Sequence, residues 1–202
     1  MRLISIFVFT LAATLAHAGP AEEAIRAGGV ALLIRHATAP GTGDPEQFKL
    51  VDCSTQRNLS DAGRSEARRI GAHLRKLGLK PGEVLTSQWC RCRDTAQLAF
   101  APNRSAGAAR AAGGSTAAAR IHDWPALNSF LRDRDNEAAR RDAITARIGT
   151  LKPGSAPLVL VTHQLIITSV TGVFPASGEV VVVAPDGKGI KVIGTIKPET
   201  IQ

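Results

Sequence analysis

Val30-Ala31-Leu32-Leu33-Ile34-Arg35-His36-Ala37-Thr38 decides the reading of this chain: five apolar residues run unbroken into an arginine and a histidine. Gly28-Gly29 before the run and Pro40-Gly41 after it mark its limits, so it reads as a short strand buried on both faces. Such a strand belongs in a packed parallel sheet, and open α/β sheets bind ligands beyond the carboxyl ends of their strands. A guanidinium beside an imidazole at that end is therefore a candidate ligand site. On an isolated strand the same pair would be surface polarity, so the rest of the chain must decide.

Two further apolar strands end in the same way. Val84-Leu85-Thr86-Ser87 leads into a predicted helix over Trp89–Phe100, with Arg91 in its first turn and Thr95 one turn later. Free backbone N–H groups and the helix dipole favour anions at that position. Leu158-Val159-Leu160-Val161-Thr162 stops at His163, and a helix over Gln164–Thr171 closes at Gly172. Between the first two strands, Ala39–Asp52 reads as a loop. Ser60 then caps a helix in which Ala67, Ile70, Leu74 and Leu77 recur at three and four up to Gly78. Its Arg64, Arg68, Arg69, Arg75 and Lys76 form a solvated face.

Residues 101–130 read as an excursion from the core: Ala, Gly, Ser and Arg dominate as far as Arg120, and Trp124, Leu127 and Phe130 then return as packing residues. Arg132–Gly149 is a charged helix with Ala139, Ala143 and Ile148 as its buried side. Val180–Val183 and Ile190–Ile196, around Asp186-Gly187, predict a hairpin. This order predicts one domain over residues 19–202, a three-layer α/β/α sandwich with a mostly parallel central sheet and a C-terminal antiparallel hairpin.

The composition narrows the function. With 202 residues and 44% hydrophobic content the chain supports a sizeable core, and its net charge of +8 favours anionic partners. Nucleic acid is disfavoured, because there is no Tyr and no basic run interleaved with aromatics that could stack bases. Arg2, the apolar Leu3–Leu15 and the small-residue site Ala16-His17-Ala18 read as a signal peptide cleaved after Ala18, too short for a membrane span. The expected location is periplasmic or secreted. Of Cys53, Cys90 and Cys92, one pair should then bridge, Cys53 with either of the other two, and their spacing gives no metal site.

Parallel strands bring Arg35, His36, Arg91 and His163 to one sheet edge. Guanidinium forks match phosphate oxygens, one imidazole can attack phosphorus, and the other can stabilise charge. At these residues the chain resembles the histidine phosphatase superfamily, the phosphoglycerate mutase-like or RHG-motif family. Arg35-His36-Ala37-Thr38 matches the R-H-G signature with Ala in place of Gly. Leu59-Ser60-Asp61-Ala62-Gly63-Arg64 is similar to the family's helix entry. Ser87, Arg91, Thr95 and Ala96 match its S-x-x-x-R-x-x-x-T-A stretch, and Val161-Thr162-His163 its late strand ending in T-H.

The resemblance implies that His36 is the nucleophile, that Arg35, Arg91 and His163 hold the phosphoryl oxygens, and that no metal or other cofactor is required. It implies a small phosphorylated substrate, an envelope sugar phosphate among the classes open to small exported members. The family's usual proton donor has no direct match, since Gln164 stands where some branches carry Asp. Glu179, ahead of Asp123, is the candidate acid. Without an acid, only substrates with good leaving groups would turn over well. A pocket that binds phosphate without turnover is the alternative function. A cationic protein that binds anionic lipid or nucleic acid through charge alone is a third.

Overall fold

The central strand is β1 (Ala31–Arg35), flanked in parallel by β4 (Leu158–Thr162) and in antiparallel by β5 (Val180–Asp186). The computed structural model describes residues 19–101, 120–187 and 189–201. The signal-peptide reading and most of the excursion, residues 102–119, lie outside the described residues.

The remaining strands are β2 (Glu83–Thr86), β3 (Ile121–Asp123) and β6 (Gly189–Ile196), and the sheet runs β3-β2-β4-β1-β5-β6. The first four in that order are mutually parallel, and β5 and β6 form the expected antiparallel hairpin. Alternation along β1 builds the layers, since successive side chains of a strand point to opposite faces. Leu32 and Ile34 pack with Val84, Val159 and Val161 under α1 (Pro20–Ala27), α2 (Asp61–Lys76) and α3 (Cys90–Phe100). Ala31 and Leu33 pack with Leu85, Leu158 and Leu160 under α4 (Glu137–Gly149) and α5 (Gln164–Thr171). The fold is the predicted three-layer sandwich.

Three elements differ from the expectation. α1 was not anticipated. It starts on Pro20 and lays Ala21 and Ile25 against the α2 side of the sheet. β3 continues the parallel sheet where only a packed segment was expected, because Ile121 follows Val84 in register. α4 begins at Glu137, after a short 3-10 turn over Arg134–Asn136, and its buried residues are Ile144 and Ile148. Ala139 and Ala143 are exposed. Ile144 and Ile148, one turn apart, lie on the face turned to the sheet, whereas Ala139 and Ala143 fall on faces turned to solvent.

α2 and α3 cross at close range through Gly71. A Cβ there would overlap the carbonyl oxygen of Ala99, and Arg75 donates to that same oxygen at 2.7 Å. Because the obstruction is backbone, a Gly71→Ala protein must part the two helices. We expect a loss of about 1–3 kcal/mol or more, read as a lower urea midpoint at unchanged m-value.

Candidate functional site

Each candidate side chain sits at or just beyond the end of a parallel strand, Arg91 in the first turn of α3 after β2. The backbone N–H of His36 donates to Thr162 O at 2.9 Å, that of Arg35 to Glu179 O at 3.1 Å, and that of Ser87 to Val161 O at 2.9 Å. These bonds hold the carboxyl ends of β1, β2 and β4 level. Arg35, His36, Arg91 and His163 all line one cavity of about 580 Å³ beyond those ends, walled by Phe48, Leu50, Trp89 and Leu131. A second hollow, of about 570 Å³ at the opposite end of the sheet, is lined by Glu83, Arg120, His122 and Arg147 without any such convergence.

His36 is almost wholly buried, and its Nδ1 lies 2.8 Å from the Ala37 carbonyl oxygen. A carbonyl can only accept, so Nδ1 carries the proton and Nε2 keeps its lone pair. Burial first, and the Arg91 charge second, pull the His36 pKa down to about 3, so the ring is neutral at ordinary pH. The Ala37 N–H donates to Thr95 Oγ1 at 3.1 Å, and that hydroxyl donates to Arg91 O at 2.7 Å, joining the β1 end to α3. Thr38 donates from both its N–H and its hydroxyl to Glu66 Oε2 on α2, at 2.8 Å each. A Cβ at Gly63 would overlap the Thr38 carbonyl oxygen. This close approach is the physical reason for glycine in the Leu59–Arg64 entry.

His163 is buried, with its ring 5.6 Å from that of His36 in an edge arrangement. Its Nε2 lies 2.8 Å from Ser87 Oγ, which is in reach of Asn128 Oδ1 at 3.2 Å and receives the Trp89 N–H at 3.3 Å. Arg91 Nη2, a donor only, lies 3.4 Å from Nδ1. The consistent assignment has Nε2–H donating to Ser87 and Nδ1 facing the arginine with its lone pair. Burial and then the Arg91 charge hold His163 well below the usual histidine range.

Arg35 donates from Nη1 to Pro175 O at 2.9 Å, while Arg91 is buried and grips Asp44 through both Nη groups. Among the described residues, the Nε groups of both Arg35 and Arg91 are buried without a hydrogen-bond partner. Both arginines line the cavity, and guanidinium groups there suit an acceptor-rich anion.

Arg57 also lines the cavity and was not among the candidates. Its Nε donates to Gly43 O at 2.8 Å and its Nη1 to Ala39 O. Its sequence signal was its place just before the Leu59 helix entry. Asp44, in a stretch read only as loop, was missed as well and carried no local signal. Glu179 is buried, accepts the Ala176 N–H at 2.8 Å, and is not among the residues lining the cavity. Asp123 pairs with Arg93 and is not a lining residue either.

Cys53 bridges Cys90, the residue before Arg91, which fits an oxidising compartment. The other thiol, Cys92, is fully buried against Thr162 O and His163, and burial pushes its pKa up to about 12, so it is inert as a nucleophile. The bridge spans 37 residues of sequence and ties the wall carrying Asp44 and Arg57 to α3. Loop closure of that length stabilises by about 4 kcal/mol in the chain-entropy relation, so reduction should lower the urea midpoint accordingly.

Residues 31–106 match the family model of the histidine phosphatase superfamily, branch 1. No match is found among curated proteins. The chain is similar in fold to the protein histidine phosphatase SixA complexed with tungstate, at 14% identity and a TM-score of 0.53, over 86% of this chain and 99% of that one. It is similar to a mycobacterial glucosyl-3-phosphoglycerate phosphatase with inorganic phosphate, at 13% identity and TM-score 0.52, over 85% and 99%. Phosphoserine phosphatase from Entamoeba histolytica, in complex with 3-phosphoglyceric acid, gives 9% identity and TM-score 0.55, over 86% and 99%. At these identities the likeness establishes the fold.

Proposed function

We propose that this chain, similar to the histidine phosphatases in motif and fold, hydrolyses phosphomonoesters through a phosphohistidine on His36. The observation that carries the reading is the neutral His36 ring, its Nδ1–H held by Ala37, in a cavity also lined by Arg35, Arg57 and Arg91. The Nε2 lone pair attacks phosphorus in line while the bond to the leaving oxygen breaks. Arg35 and Arg91 hold the non-bridging oxygens as charge builds on them, and His163 joins them by turning its Nε2–H from Ser87 Oγ to a phosphoryl oxygen. Water then attacks phosphorus, the phosphorus–nitrogen bond breaks with its electron pair returning to Nε2, inorganic phosphate leaves with the water's protons, and His36 is restored. The arginines supply the positive charge that Mg²⁺ supplies in other phosphoryl transfers.

The leaving oxygen needs a proton unless it departs unaided. Glu179 is the proposed donor, and to serve it must release the Ala176 N–H and turn towards the cavity; Asp123 must leave Arg93. Substrates with good leaving groups, such as acyl phosphates, phosphohistidine or aryl phosphates, should therefore turn over fastest. For an exported protein an envelope sugar phosphate is the proposed natural class, and its poor leaving group makes it the substrate that depends on such a donor. That neither candidate acid lines the cavity also favours the alternative, a module that binds phosphate without turning it over.

Phosphate release from p-nitrophenyl phosphate, with chelator present and beside His36→Ala, tests the reading. Turnover in the parent and none in the variant supports it. Equal activity in both overturns the nucleophile assignment. No turnover in either, with phosphate or vanadate still bound by the parent, moves the binding module to first place.

A further inference from the structure

We propose that Asp44 is the resident counter-ion of the phosphoryl seat, holding Arg91 until a phosphoryl group takes that guanidinium over and reclaiming it as inorganic phosphate departs. The inference rests on the phosphatase reading of the same cavity. It makes Asp44 a positioning residue, acting through Arg91.

Asp44 Oδ1 accepts from Arg91 Nη1 at 2.8 Å and Oδ2 from Arg91 Nη2 at 3.1 Å, and the two side chains are only 9% and 4% exposed. The Arg57 N–H adds a bond to Oδ1 at 3.0 Å, and Trp89 Nε1–H one to Oδ2 at 3.1 Å. Burial pushes the Asp44 carboxyl up, but these donors and the Arg91 charge outweigh it and hold the group below the usual carboxylate range. A carboxylate carrying four hydrogen bonds is a poor proton donor, which argues against a role as the acid. It is instead a planar, two-oxygen anion seated on the guanidinium edge that matches two phosphate oxygens.

The surroundings give the contact its purpose. Three arginines, Arg35, Arg57 and Arg91, line the cavity, and both histidines are held neutral by burial and by those charges. Without a carboxylate such a cavity would bind inorganic phosphate, the product, too tightly to turn over. Asp44 offsets one cation, keeps Arg91 aimed in the empty site, and competes with the product for the same fork. Its backbone does not need to move for this exchange. Arg132 fixes the carbonyls of Asp44, Pro45 and Glu46 at 2.7, 3.3 and 3.0 Å, so only the side chain has to rotate.

The test is calorimetric titration of inorganic phosphate into the parent, Asp44→Asn and Asp44→Glu, with kcat and KM for p-nitrophenyl phosphate from each. Removing the charge should tighten phosphate by about tenfold or more while kcat falls, a split that a merely structural brace would not give. Glutamate, which keeps the charge, should move both values back towards the parent. Trp89 supplies a reading that needs no change at Asp44. In a Trp124→Phe protein, the only tryptophan is the one bonded to Asp44, and saturating phosphate should shift its emission. Unchanged or weaker phosphate affinity in Asp44→Asn overturns the inference, as does emission that phosphate leaves unmoved. A parent that turns over but binds no phosphate also overturns the inference, whereas one that neither turns over nor binds phosphate overturns the phosphatase reading itself.

Discussion

Alanine at position 36 is expected to cut p-nitrophenyl phosphate turnover by at least about 10³-fold while leaving the protein folded. The loss is large because no neighbouring group can take over the attack proposed for His36. His163 has its Nε2 committed to Ser87 and its other nitrogen against Arg91, and the Cys92 thiol is protonated and buried. The fold should persist because the strand end is held by main chain: the residue 36 N–H still donates to Thr162 O. Phosphate binding should persist too, since Arg35, Arg57 and Arg91 remain. Single-turnover trapping with labelled substrate should give an acid-labile, alkali-stable phosphoenzyme in the parent and none in His36→Ala. A variant that retains the label would place the covalent bond elsewhere.

Acidification should destabilise the protein well before its carboxylates titrate. His36 and His163 are both held neutral in the folded state, His36 down to about pH 3 and His163 in the same direction. In the unfolded chain both take up a proton near pH 6.5. Between those limits the unfolded state binds more protons than the folded one, so stability rises with pH and falls as pH drops below about 6.5. With its folded pKa at about 3, His36 contributes a slope approaching about 1.4 kcal/mol per pH unit, on the order of 3 kcal/mol between pH 6.5 and 4, and His163 adds loss in the same direction. Asp44, whose folded pKa is depressed, adds loss in the same direction below about pH 4, where the unfolded carboxyl protonates. Urea midpoints across pH 4–8 check this. A flat profile would mean that the imidazoles are charged or solvated in the native state. His163→Gln, which keeps an uncharged polar side chain, should flatten the slope.

The elements that carry the candidate site were legible because each begins as an unbroken apolar run. A strand buried on both faces shows itself by composition, and a polar residue that ends it stands out. This is how the ends of β1, β2 and β4 were read, and with them Arg35, His36, Arg91 and His163. Elements defined by what they pack against were harder to read. β3 is a three-residue edge strand recognised only through its register with β2. The buried side of α4 falls on Ile144 and Ile148 because the sheet lies that way, a direction that alternating alanines do not record.

The site divides in the same manner. The sequence by itself determined the layer order, the sheet edge at which the arginines and histidines meet, and the need for an acceptor on the His36 ring. Those features follow from apolar periodicity and from the parallel direction of consecutive strands, which are local properties. Only the tertiary structure decided that the acceptor is the Ala37 carbonyl, that Cys53 bridges Cys90 rather than Cys92, and that Glu179 turns to Ala176. It alone brought Asp44 onto Arg91 and Arg57 into the cavity wall, across 47 and 34 residues of chain from Arg91. A carboxylate in a loop can point anywhere. Its direction is set by whichever buried donors the completed fold leaves in want of an acceptor, and that is a property of the whole chain.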